Sequence, residues 1–208
     1  MSDTDECPTI PDLMTMMADH IAEVTGALDE ETTAAFLKEM LHAKRIYVTG
    51  AGRSGLIAKA FAMRLMHTGL DAYVVGETIT PAMAEGDALV AFSGSGETHS
   101  IAEYAETAKS VGGTICLITA HKNSSIGSVA DLIVELKTDN GMITQPQDGG
   151  YEIRQLTGKY RSTSQGITPQ GTLFETMAMV FADATIAGIM LSTHCGVDDV
   201  QRRFANIQ

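Results

Sequence analysis

A chain of 208 residues that is 44% hydrophobic is long enough to bury one sizeable core, and its 14 Lys and Arg against 26 Asp and Glu give a net charge of −12. So acidic a balance argues against nucleic acid and anionic membrane as partners, and a phosphate site in such a chain must rest on local donors, not on the overall field. The three cysteines, Cys7, Cys116 and Cys195, are odd in number and far apart, which argues against a disulfide framework and against a paired-cysteine metal or redox site.

The first residues, MSDTDECPTIPD, are acidic and lack a basic stretch followed by an apolar run. No secretory leader is expected, no stretch is read as approaching the ~20 apolar residues of a membrane span, and the cytoplasm is the expected location. PDLMTMMADHIAEVTGAL and DEETTAAFLKEMLHA both carry apolar residues at helical spacing, with Asp29 placed as an N-cap. Met14, Met16 and Met17 are expected to pack in the core, the alternative being a stripe for a partner subunit.

After Lys44 short apolar runs alternate with helical segments: RIYVT, SGLIAKAFAMRLMHTG, DAYVV, ALVAF, ETHSIAEYAETAKSVG, TICLIT, SSIGSVA and DLIVEL. Runs rich in Val and Ile, without strict alternation and separated by helices, predict an α/β fold with a parallel sheet of five strands covered on both faces. Residues 137–170 form a long polar, Gly-rich connection in which TDNGMITQ could make a short hairpin. From Gly171 the apolar run TLFETMAMVFADATIAGIML predicts a closing helix, followed by a short tail. One domain over 1–208 is expected, divided into N-terminal helices (1–43), a βα core (44–136), the polar connection (137–170) and the C-terminal helix and tail (171–208).

Two turns follow strand ends. Gly50-Ala51-Gly52-Arg53-Ser54-Gly55 comes after the first strand and Ser93-Gly94-Ser95-Gly96-Glu97-Thr98 after the third. In a doubly wound sheet of order 2-1-3-4-5 both face one crevice, where hydroxyls and backbone N–H groups at helix starts suit an anion. The first turn also fits GxGxxG, but Glu77 is only loosely placed for a ribose hydroxyl, and the Ser-rich second turn would go unexplained by a dinucleotide.

The stretch VTGAGRSGLIAKAFAMRLMHTGLDAYVVGETITPAMAEGDALVAFSGSGETHSI resembles the sugar isomerase (SIS) domain of the 6-phospho-3-hexuloisomerase family. AGRSG and SGSGET point to a SIS domain; AFAMRLMHTG, VVGETITPA and GTLFE point to the hexuloisomerase branch. The likeness runs from about Ile46 to Leu136 and resumes at PQGTLFE. It implies a flavodoxin-like sandwich, a tetramer, and interconversion of D-arabino-hex-3-ulose 6-phosphate and D-fructose 6-phosphate without cofactor or metal, which in methylotrophs follows formaldehyde fixation. Carried over, Ser54, Ser93, Ser95 and Thr98 would hold the phosphate, Gly52 and Arg53 would line the sugar side, and Glu175 would be the base.

The chemistry asks for the same parts. Moving a carbonyl between C3 and C2 needs a base for the C2 proton, donors for the cis-enediolate, and proton return at C3. Pattern alone also allows Thr172-x-x-Glu175 to be a capping box. The tail reads Arg203-Phe204-Ala205-Asn206-Ile207-Gln208 where the resemblance leads one to expect Arg-His-Ala-Asn-Leu-Glu, and Arg154, Lys159 and Arg161 in the polar connection have no assigned counterpart. His99, His121 and His194 are the candidates to replace the tail histidine; His42 and His67 read as helix-end residues on the dipole, and His20 carries no signal. A non-catalytic sugar-phosphate-binding or regulatory module, and an isomerase of another phosphosugar, remain the alternatives.

Overall fold

The computed structural model describes residues 8–137 and 172–204. Cys7, Gly171, the end of the tail from Ala205 to Gln208, and the polar connection beyond Lys137 with its hairpin candidate and Arg154, Lys159 and Arg161 lie outside the described residues.

Helix α1 (Ile10–Gly26) opens on a capping box in which Thr9 and Asp12 satisfy each other's backbone N–H groups. Helix α2 (Glu30–His42) is capped by the Asp29 carboxylate, which accepts from Thr32 N at 2.8 Å. The alternation then runs β1 (Ile46–Gly50), α3 (Arg53–Thr68), β2 (Ala72–Val74), β3 (Ala88–Phe92), α4 (His99–Ser110), β4 (Thr114–Thr119), β5 (Leu132–Glu135), α5 (Thr172–Thr193) and the short α6 (Val197–Gln201). The strands form one parallel sheet in the order β2-β1-β3-β4-β5, as expected.

Strand side chains divide by parity, because successive residues point to opposite faces. Ile46, Val48, Val90, Phe92, Cys116 and Ile118 pack with α2, α3 and α5 in the larger core, while Tyr47, Leu89, Ala91, Ile115 and Leu117 pack with Ile101, Ala105 and Ala108 of α4 in the smaller one. Burial pushes the Cys116 thiol far above its ordinary range, as suits an inert core residue.

Three expectations fail. SSIGSVA forms turns rather than a helix, so β4 and β5 are joined by a crossover of turns only. Met14 and Met16 are exposed rather than buried, and Val24 alone of α1 is fully buried, because that helix lies at the margin of the larger core. An apolar stretch of membrane-spanning length does exist: α5 has 22 residues, and 18 consecutive residues within it have a mean hydropathy of 1.5. Phe174, Met177, Ala178, Phe181, Ala182, Ile186 and Ile189 explain it, since they form the core-facing side of that helix.

Candidate active site

Strand β1 pairs with β2 on one side and β3 on the other, so the chain reverses its direction of travel across the sheet between β1 and β3. Gly50 and Phe92 are register partners at the ends of those strands, which puts the two glycine-rich turns side by side. At Gly50 a Cβ would stand 2.8 Å from the Ser54 carbonyl group, so α3 can leave β1 this closely only over glycine. Gly52, at φ 58° and ψ −130°, is the N-cap of α3 and supplies no side-chain cap. Nothing lies within 4 Å of where its Cβ would be, so bare backbone faces the crevice. Ser54 follows in the first turn of α3 and is buried.

The second turn is held from below. Ser93 N donates to Ile118 O at 3.0 Å, Ala120 N to Gly94 O at 3.0 Å, Gly96 N to Ser93 O at 3.1 Å and Ile126 N to Gly96 O at 3.0 Å. Ser93 and Thr98 are buried with their hydroxyls 3.4 Å apart, and Ser95 is exposed with its Oγ accepting from Glu97 N at 3.2 Å. Thr98 is the N-cap of α4 but makes no side-chain cap bond. Helices α1 and α2 carry side-chain caps, whereas neither Gly52 of α3 nor Thr98 of α4 makes one, and helix starts of this kind suit an anion.

Glu175 is brought to this turn by its neighbour. A Cβ on Gly94 would stand 2.9 Å from the Phe174 ring, so the first turn of α5 seats directly on the serine-rich loop. The Glu175 carboxylate, 12% exposed, has Oε2 2.7 Å from Arg53 Nε, an ion pair without the alignment of a hydrogen bond. Burial raises the Glu175 carboxyl above its ordinary range and the Arg53 charge opposes this. The capping-box alternative fails: Thr172 is already helical, and its hydroxyl, buried, has no hydrogen-bond partner.

The structure thus gathers Gly52, Arg53, Ser54, Ser93, Ser95, Thr98 and Glu175 at one edge of the sheet. Two supports escaped the sequence. Glu97 receives Ser125 N at 2.9 Å together with the Ser125 hydroxyl, and Thr119 Oγ1 donates to Gly94 O at 3.2 Å. Glu97 and Ser125 are 28 positions apart and fit no motif, so only the fold reveals the pairing.

The histidines separate. His99, the first residue of α4, is exposed and lies 3.1 Å from Glu103, and His121 follows β4 at the same edge. His194 takes φ 54° beyond the end of α5. His42 behaves as expected, with Nδ1 2.7 Å from Lys38 O in the last turn of α2. His67 does not: it is buried, Nδ1 has no hydrogen-bond partner, and burial followed by the Arg64 charge lowers its pKa, so it is held neutral and offers the dipole no charge. Phe204 covers it with ring centroids 4.6 Å apart. His67 lies fourteen positions along α3 from Arg53, or about 21 Å at ~1.5 Å per residue, so Phe204 lies away from its own chain's crevice. A hollow of about 330 Å³ beside Lys38, Glu39, His42, Thr114 and Asp131 opens at the amino-terminal edge of β4 and β5, the opposite end of the sheet. Its Asp131 is already engaged by Lys109 and by Ile115 N.

Residues 39–146 match the SIS domain family. An uncharacterized protein of Archaeoglobus fulgidus is 41% identical over 93% of this chain and 97% of its own. The 3-hexulose-6-phosphate isomerase of Bacillus subtilis is 37% identical over 91% of this chain and 98% of its own. A crystal structure from Methanococcus jannaschii, for which a 3-hexulose-6-phosphate isomerase function is inferred, superposes with a TM-score of 0.74 at 29% identity, covering 94% of this chain and 98% of that one. The chain belongs to the SIS domain family and, within it, to the family of the 3-hexulose-6-phosphate isomerases.

Proposed function

We propose that this chain, a sugar-phosphate isomerase by family, interconverts D-arabino-hex-3-ulose 6-phosphate and D-fructose 6-phosphate through a cis-enediolate. The observation that carries the assignment is a mostly buried carboxylate, Glu175, seated against the serine-rich turn by the Phe174–Gly94 contact. Ser54, Ser93, Ser95 and Thr98 hold the phosphate with the N-termini of α3 and α4, and Gly52 and Arg53 face the sugar. Glu175 takes the proton from C2. The electron pair of that C–H bond becomes the C2–C3 double bond, and the carbonyl pair moves onto O3. After a proton passes from O2 to O3, O2 collapses to the new carbonyl and Glu175 returns its proton to C3. Proton transfer of this kind calls for neither metal nor cofactor.

In methylotrophs this step would follow formaldehyde fixation, in the cytoplasm. The functional molecule is a homo-oligomer, which the exposed apolar residues of α1, α3 and α5 support. Purified protein in deuterated water with fructose 6-phosphate should incorporate deuterium at C3 and, through the reverse step, at C2 of the hexulose. Glu175→Gln should bind the sugar phosphate with nearly unchanged affinity and exchange at least ~10²-fold more slowly. Normal exchange by Glu175→Gln removes the base from this scheme. Tight binding without exchange in the wild type would establish instead a sugar-phosphate-binding module, and exchange only with another phosphosugar would change the substrate.

A further inference from the structure

Glu175 as base poses an electrostatic problem that the geometry around Arg53 resolves. When the carboxylate takes up the C2 proton it loses its negative charge, and one unit of charge appears on O3 of the sugar. In a crevice where Glu175 is 12% exposed, a cation fixed on the carboxylate alone would favour the starting state and slow the transfer. Arg53 is not so fixed. It is the first residue of α3, directly after Gly52, and its side chain is 59% exposed. It approaches Glu175 through Nε, which leaves the two amino groups of the guanidinium to meet a second oxygen. Among the described residues, other charged groups near this edge are engaged elsewhere: Lys59 of α3 donates to Glu77 at 2.7 Å, His99 lies 3.1 Å from Glu103, Lys122 and Lys137 face Glu135, and Glu97 accepts from Ser125.

We infer that Arg53 is a second catalytic residue, pairing with the Glu175 carboxylate while the base is ionised and with the O2 and O3 oxygens of the enediolate once Glu175 holds the proton. The inference rests on Glu175 being the base. The guanidinium follows the charge from protein to substrate, and its own protonation state never changes. A side chain that merely lined the pocket would affect binding; one that follows the charge acts on the barrier.

The test is a pH–rate comparison of wild type, Arg53→Gln and Arg53→Lys with fructose 6-phosphate, alongside Glu175→Gln. Arg53→Gln should lower kcat by about 10²- to 10³-fold, the usual cost of removing one donor to a developing oxyanion. The acid limb of kcat/KM should also move to higher pH, because burial of Glu175 is then unopposed. Arg53→Lys should restore part of the rate and bring the limb back toward the wild-type position. A kcat for Arg53→Gln within about threefold of wild type overturns the inference, whether or not the limb moves. So does a loss of kcat with an unmoved limb, which marks a structural role. If Glu175→Gln turns over normally the base assignment falls first; if it is dead while Arg53→Gln is near wild type, only the charge-following role falls.

Discussion

Glu175 carries two properties that pull in opposite directions, a buried position and a cationic neighbour, and burial is the larger. A carboxyl whose pKa is higher folded than unfolded holds its proton more tightly in the folded state. Its contribution to stability is therefore intact below the ordinary value of 4.5 and is lost as pH rises through the folded value. Glu175→Gln, which cannot ionise, should melt at a higher temperature than wild type at about pH 7, and this gain should fade at about pH 4. Thermal unfolding at the two pH values checks this; an equal difference at both would assign the change to packing. The candidate site residues were legible in the sequence because two glycine-rich turns, each at a strand end and a helix start, occur together, and because the family resemblance singles out Glu175. Their supports were not. Glu97 and Ser125, or Phe174 over Gly94, are joined only by the packing of distant segments.

At the scale of elements, the strands and most helices were legible because parallel strands buried on both faces give continuous apolar runs. The exceptions have identifiable causes. In SSIGSVA the Ser124 hydroxyl accepts from Gly127 N and the Ser128 hydroxyl donates to Ser125 O, so serine side chains compete with the backbone and the segment closes turns. His67 was misassigned because position alone suggested a dipole contact, whereas Phe204, 137 positions later, buries its ring. Helix α5 shows both the strength and the limit of pattern. Its apolar character announces a core helix, yet Val180, Ala184, Ala187 and Leu191 form an exposed stripe opposite the core side. Neighbouring α3 adds exposed Leu56, Met63 and Met66. A surface of this extent in one protomer fits contact with a second copy. Leu191→Asp, at a position 79% exposed, should leave the helix intact and reduce the assembled mass in sedimentation. A wild type that sediments as a monomer contradicts the oligomer.

For the molecule as a whole, the starts of α3, α4 and α5 meet at one point of a protein with net charge −12. Their partial positive charges act over roughly the first turn, whereas the acidic surface acts over a Debye length. A dianionic sugar phosphate therefore approaches against a repulsive field and is attracted only on arrival. Added salt should then help the enzyme. Between about 10 mM and 150 mM the screening length falls from about 30 Å to about 8 Å, which shrinks the outer barrier more than the short contacts inside, so kcat/KM for fructose 6-phosphate should rise. A steep fall over that range would mean that long-range attraction brings the substrate in. The rise would instead describe an entrance that discourages anions in general and rewards those able to reach the serine loop, a selectivity of access settled before any sugar hydroxyl is recognised.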